Sequence, residues 1–205
     1  MMVADKGGRL SSTAVDVARA AAMAARGDTR PPVDAAARGD TRPPVRKHPS
    51  RNSVHEQGFR STILFVTVCT EGRIPILADK KMLDIILSAW ENAQNWIVGR
   101  YVIMPDHIHF FCAPATYPAP DFHRWIKYWK RLAQQAFAAM AARGDTRPPT
   151  VKLWQDGCWD TQMRTGAQYE EKWQYVRNNP VRKGLVGDAD YWAYQGAVHD
   201  LPWHD

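Results

Sequence analysis

His107 and His109 stand one residue apart, inside the run from Tyr101 to Cys112 that reads as two strands joined at Pro105-Asp106. Side chains alternate across a strand, so the two imidazoles share one face while Ile108 and Phe110 take the other, toward a core. Two neighbouring imidazoles on a face away from the core are the beginning of a divalent-metal site. An exposed polar pair has the same spacing, so a third ligand and a reacting group have to come from elsewhere in the chain.

Tyr175 and Asn179 offer both. Four residues apart on a helical stretch, they lie one above the other on the same face. A carboxamide oxygen is a hard ligand suited to Mg²⁺ or Mn²⁺, and two imidazoles plus one oxygen leave positions open for phosphate and water. A tyrosine one turn away could then set its oxygen beside a metal-bound phosphodiester. The spacing equally fits a half-buried helix tyrosine and a C-terminal cap. Tyr169 competes as nucleophile, but it lies six residues from Tyr175, about 600° around a helix, and faces elsewhere.

The elements that must position these groups begin near residue 60. Thr62 to Thr70 is β-branched and apolar, a strand. Lys80 to Trp96 carries Met82, Ile86, Ala89, Ala93 and Trp96 at helical spacing behind Asp79, a candidate N-cap. Ile97 to Met104 and His107 to Cys112 are strands. A long helix opens at Pro120-Asp121, with Phe122, Trp125, Trp129, Ala133, Ala136, Phe137 and Met140 along one stripe. Lys152 to Asp160 reads as a short strand or extended segment, and Gln168 to Asn178 as a helix stopped by Pro180. The order β-α-β-β-α-β plus a further helix predicts an α+β, ferredoxin-like antiparallel sheet with an additional C-terminal catalytic helix. The domain is expected over residues 56–195, with 196–205 as a tail.

Composition bounds the partners. The 205 residues carry 27 Lys and Arg against 21 Asp and Glu, a formal charge of +6, which favours an anionic partner such as nucleic acid over a neutral one. Nine tryptophans are enough to serve both a core and a binding surface. Cys69, Cys112 and Cys158 are far apart and form no Cys-x-x-Cys pair, as small hydrophobes do in a reducing, cytoplasmic setting. No apolar run is long enough to predict a membrane span.

A repeat interrupts this pattern. Ala21 to Pro32 recurs unchanged as Ala138 to Pro149, and a shorter copy spans Ala36 to Pro44. Without a fixed period or an apolar face the copies cannot stack as a solenoid. Their identity points to in-frame copies of a short repetitive DNA element, which matching nucleotide repeats in the gene would test. Residues 1–55 are expected as a disordered extension, and 138–150 as an inserted, exposed loop.

Three motifs together resemble a known family. Val102 to His109 resembles the HUH signature of single-tyrosine transposases. Tyr175 to Val186 resembles the catalytic-helix motif of one branch, the REP-associated tyrosine transposases. Trp154-Gln155 with Asp160 and Arg164 resembles the tryptophan-rich block that precedes that helix, with Cys158 in place of a usual aromatic. The resemblance covers about residues 57 to 195. It implies a Mg²⁺- or Mn²⁺-dependent transferase acting on single-stranded or hairpin DNA. His107, His109 and Asn179 match the metal ligands, and Tyr175 matches the nucleophile that becomes joined to a 5′ phosphate. Monomeric and homodimeric forms both occur among such proteins. Two other readings keep the same residues: a hairpin-binding protein that does not cut, and a metal-dependent hydrolase using water.

For DNA contact the sequence nominates cations, because phosphate neutralisation needs them clustered. They are Lys127, Lys130 and Arg131 on the long helix, and Arg164, Arg177, Arg182 and Lys183 around the catalytic helix. Trp154 and Trp159 are candidate platforms for unpaired bases.

Overall fold

The computed structural model describes residues 62–142 and 152–204. The extension over residues 1–55 and most of the third repeat copy lie outside the described residues. A five-stranded sheet is built from β1 (Leu64–Cys69), β2 (Trp96–Met104), β3 (His107–Pro114), β4 (Trp159–Gln162) and β5 (Gln195–Ala197). The strand order is β4-β1-β3-β2-β5, every pair antiparallel. Helices α1 (Lys80–Glu91) and α2 (Phe122–Ala142) make the crossovers, and α3 (Gly166–Arg177) with the one-turn α4 (Asn179–Arg182) follows β4. This is the expected ferredoxin-like α+β plan with one extra edge strand.

The strict alternation of β3 divides the molecule into layers. Ile108, Phe110 and Cys112 join the larger core under α1 and α2, together with Trp90, Trp125 and Trp129. Phe111 joins a smaller core on the opposite face with Met163, Tyr169, Val176, Trp192 and Leu201. His107 and His109 share the parity of Phe111, so they lie on the α3 side of the sheet. Six of the nine tryptophans are buried, and Trp159, Trp173 and Trp203 are half-buried.

Local chemistry sets the element ends. Asp79 caps α1, its carboxylate accepting from the amides of Lys81 and Met82. The helix stops at Glu91, short of the expected Trp96, because the Asn92 side chain turns back onto the Ser88 carbonyl. Trp96 is then free to open β2, donating from its indole to the Pro120 carbonyl at 3.0 Å. Ala138 to Ala142, expected within an inserted loop, instead complete α2, as alanine and methionine favour.

Two further expectations need correcting. Pro180 does not end the helical run: Asn178 breaks α3, and Pro180 sits in the first turn of α4, where its missing N–H costs nothing. Asn179 therefore opens a second helix and does not close the first. The expected tail from residue 196 packs back on the sheet. β5 pairs with β2, and buried Leu201 lies against Gly99, where any Cβ would come within 2.6 Å of Leu201 Cδ1.

Candidate active site

The hairpin between β2 and β3 pairs Met104 with His107 across a two-residue turn, Pro105-Asp106. That turn is tied to the end of β1: Thr70 donates from its hydroxyl to the Asp106 carbonyl at 3.1 Å and to the Ile74 carbonyl at 2.9 Å. The Asp106 carboxylate lies between two partners, 2.6 Å from His107 Nδ1 and 2.8 Å from Arg73 Nε. Arg73 adopts φ +58°, a left-handed conformation that an L-residue holds only when its surroundings favour it.

His109 is anchored in the same way. It sits directly across from Thr67 on β1, with its Nδ1 2.8 Å from the Thr67 hydroxyl. Its ring stacks on Phe65 at 5.4 Å and meets the His107 ring edge-on at 4.7 Å. Each histidine thus has Nδ1 engaged by an oxygen, with no hydrogen bond to Nε2 among the described residues, the arrangement that fixes tautomer and ring orientation in histidine metal ligands. Burial lowers the pKa of both. His107 is lowered despite the raising effect of Asp106, and His109 goes to about 3, with the neighbouring His107 imidazole and the cations Arg73, Lys172 and Arg182 adding to burial. Both imidazoles are neutral at physiological pH, the form that binds a metal ion.

Helix α3 docks over this face through aromatics and one ion pair. Thr165 caps it, accepting from the Gln168 amide. Tyr169 is 7% exposed and its ring meets Phe111 at 4.7 Å, so this tyrosine is a packing residue. Arg100 reaches from β2 to Glu170 at 2.6 Å and covers the rings of Tyr169 and Trp173. Tyr175, by contrast, is 59% exposed. Lys172 connects it to the histidines, its Nζ lying 5.6 Å from the Tyr175 ring and 5.4 Å from the Phe65 ring that stacks on His109.

Arg182 closes the group. Its guanidinium carbon lies 3.9 Å from the Tyr175 ring centroid, and it donates to the Tyr175 carbonyl at 2.8 Å and to the Asn179 carboxamide oxygen. The two histidines therefore fit a divalent cation, while the oxygen expected as third ligand is engaged by Arg182.

No family model and no curated protein sequence matches the chain. Solved structures do. One is a REP-associated tyrosine transposase bound to a REP hairpin, 20% identical, with a TM-score of 0.50 over 70% of this chain and 81% of that one. The chain has the fold of a REP-associated tyrosine transposase. A protein from Deinococcus radiodurans, described as a transposase, is 17% identical, with a TM-score of 0.41 over 60% of this chain and 95% of that one.

On this transposase fold the nominated cations separate into four groups. Arg164, Arg182 and Lys183 are exposed on the segments around α3 and α4, and Lys183 is near enough to act on the charge of His107. Arg177 is held by Asp190. Lys127 and Arg131 are exposed but lie on α2, across the sheet from the histidines. Lys130 and Trp154 are not surface contacts. Lys130 is 8% exposed, donating to the Gln155 and Gly157 carbonyls at 2.5 and 2.8 Å. Trp154 is 4% exposed, its indole donating to the Lys130 carbonyl at 3.1 Å. Trp159 is half-buried.

Sequence reasoning missed Thr67, Arg73, Asp106 and Lys172. Asp106 was visible as the acid beside His107, and Lys172 as the cation three residues before Tyr175. Thr67 and Arg73 act only through strand register and a turn, which no spacing reveals.

Proposed function

We propose that this chain cuts and rejoins single-stranded DNA beside a hairpin, through a transient link between Tyr175 and a 5′ phosphate. One observation carries the reading: the exposed Tyr175 and the His107–His109 pair lie on the same side of the sheet, joined by Lys172 and Phe65. Asp106 and Thr67 hold the imidazoles so that His107 and His109 can bind Mg²⁺ or Mn²⁺, with Asn179 as the third ligand once Arg182 releases it. When bound, that ion polarises the scissile phosphodiester.

The chain's own residues carry the rest. The Tyr175 phenol oxygen attacks phosphorus, its proton passes to solvent, and a Tyr–O–P bond forms. The bond from phosphorus to the 3′ oxygen breaks, and that oxygen leaves as a hydroxyl after taking a proton. Reversal by a 3′ hydroxyl rejoins the strand without an outside energy source, because the phosphotyrosine ester conserves the broken bond. Arg182 and Lys172, both close to the Tyr175 ring, are placed to meet the phosphate oxygens as charge builds on them. Arg164 and Lys183 extend the positive surface along the backbone of the DNA.

The test is a labelled hairpin oligonucleotide with a single-stranded flank, incubated with the full chain and Mn²⁺. Formation of a covalent protein–DNA adduct is expected, abolished in Tyr175→Phe with hairpin binding retained. An adduct that persists in Tyr175→Phe, or a free 5′ phosphate in its place, overturns the assignment.

A further inference from the structure

A second group of metal-ligating side chains lies on the other side of the sheet. His123 is in the first turn of α2, while Cys158 and Asp160 flank Trp159 at the start of β4. One ligand atom from each lies within 4.8 Å of the other two, and all three residues are half-buried. We propose that His123, Cys158 and Asp160 form a site for a thiophilic divalent cation of the zinc class, clipping β4 to the start of α2.

The ligand set decides the metal. One imidazole nitrogen, one thiolate sulfur and one carboxylate oxygen suit tetrahedral Zn²⁺ with water in the fourth position. They do not suit Mg²⁺, which demands oxygen ligands and sheds water reluctantly. Ligand atoms around tetrahedral zinc stand roughly 3.5 Å apart, as bonds of about 2.0–2.3 Å require. Closure from spacings of up to 4.8 Å takes an adjustment of about an ångström. The site is chemically unlike the His107–His109 pair and independent of the strand-transfer reading.

The surroundings explain why a cation would matter here. Among the described residues β4 is an edge strand paired with β1, and it leads directly into α3. In the metal-free chain burial pushes the Cys158 thiol up to about 12; Asp160 adds to this, and Lys130 opposes it. Burial likewise raises Asp160, against the lowering influence of His123. Cation binding therefore displaces the Cys158 proton into solvent, forming the metal–sulfur bond, and affinity falls as pH falls.

The test uses chelator-stripped full chain titrated with Co²⁺, whose thiolate charge-transfer absorption reports sulfur ligation. One equivalent is expected to give that band, with zinc displacing it and excess Mg²⁺ leaving it in place. The band disappears in Cys158→Ser, the site weakens by more than about tenfold in His123→Gln, and both are unchanged in His107→Ala. No thiolate band, or one that persists in Cys158→Ser, overturns the proposal. A measurement on the unaltered chain guards against a variant that does not fold. Zn²⁺ should protect Cys158 from iodoacetamide, as mapped by peptide mass spectrometry, and equal alkylation with and without zinc overturns the site.

Discussion

The Arg182 guanidinium covers the ring of Tyr175 at 3.9 Å while donating to the Asn179 carboxamide oxygen. One cation thus holds both the proposed nucleophile and the proposed third ligand.

Replacing it should separate those two roles. In Arg182→Ala the Asn179 oxygen is released, so half-saturation by Mn²⁺ should fall or stay constant. The maximal rate of adduct formation should drop by about a hundredfold, the usual cost of losing one donor to a developing oxyanion. Adduct rate measured against Mn²⁺ concentration distinguishes the two. An unchanged maximal rate would leave Arg182 with a purely structural part.

On the proposed reading Asp106 orients His107 without being a ligand. Asp106→Asn keeps the shape but removes the charge that faces both His107 Nδ1 and Arg73 Nε. Loss of such a partner typically costs about 10–100-fold in metal affinity or activity. Hairpin affinity without metal should not change, and a gel-shift titration beside the cleavage assay reads both.

The Arg100–Glu170 pair makes the docking of α3 sensitive to acid. Hydrogen bonding from Arg100, then from Gln174, lowers the pKa of Glu170. A depressed acid contributes stability above its unfolded value and loses it as pH falls through the folded one. Thermal melts of Glu170→Gln should therefore lie below those of the unaltered chain at neutral pH and coincide with them in acid, below the ordinary glutamate range. The pair is half-exposed, so the neutral-pH difference should be about half a kcal/mol.

Lys130 and Lys127 should behave oppositely to their equal charge. Lys130→Ala strands the Gln155 and Gly157 carbonyls and should cost about 2 kcal/mol in chemical denaturation. Lys127→Ala should be near neutral for stability. Neither should alter the salt dependence of hairpin binding, whereas Lys183→Ala should lower its slope by about one.

These cases show what was legible in the sequence. The alternation around His107-Ile108-His109 placed both imidazoles opposite Ile108 and Phe110, because a strand allows nothing else. Asp79 announced the start of α1 through its own side-chain chemistry. The same local reading failed at Pro180, where proline signals a stop but is also tolerated in a first helical turn. It failed at Lys130 and Trp154, since a cation and an indole look outward until two loop carbonyls and a helix carbonyl receive their N–H groups. The hold of Arg182 on Asn179 is a contact between residues three apart within α4, and its reach to the Tyr175 carbonyl crosses the break at Asn178, which the spacing of Tyr175 and Asn179 does not contain.

The alternation along β3 has a consequence for how this chain tolerates change. The tryptophan-rich layer of α1 and α2 lies apart from the groups that hold the histidines, which are Asp106 on the hairpin turn and Thr67 and Phe65 on β1. The third copied segment begins at Ala138, in that rear layer. Growth on one side and chemistry on the other give the molecule a workshop wall: material can accumulate behind it while the bench in front stays clear.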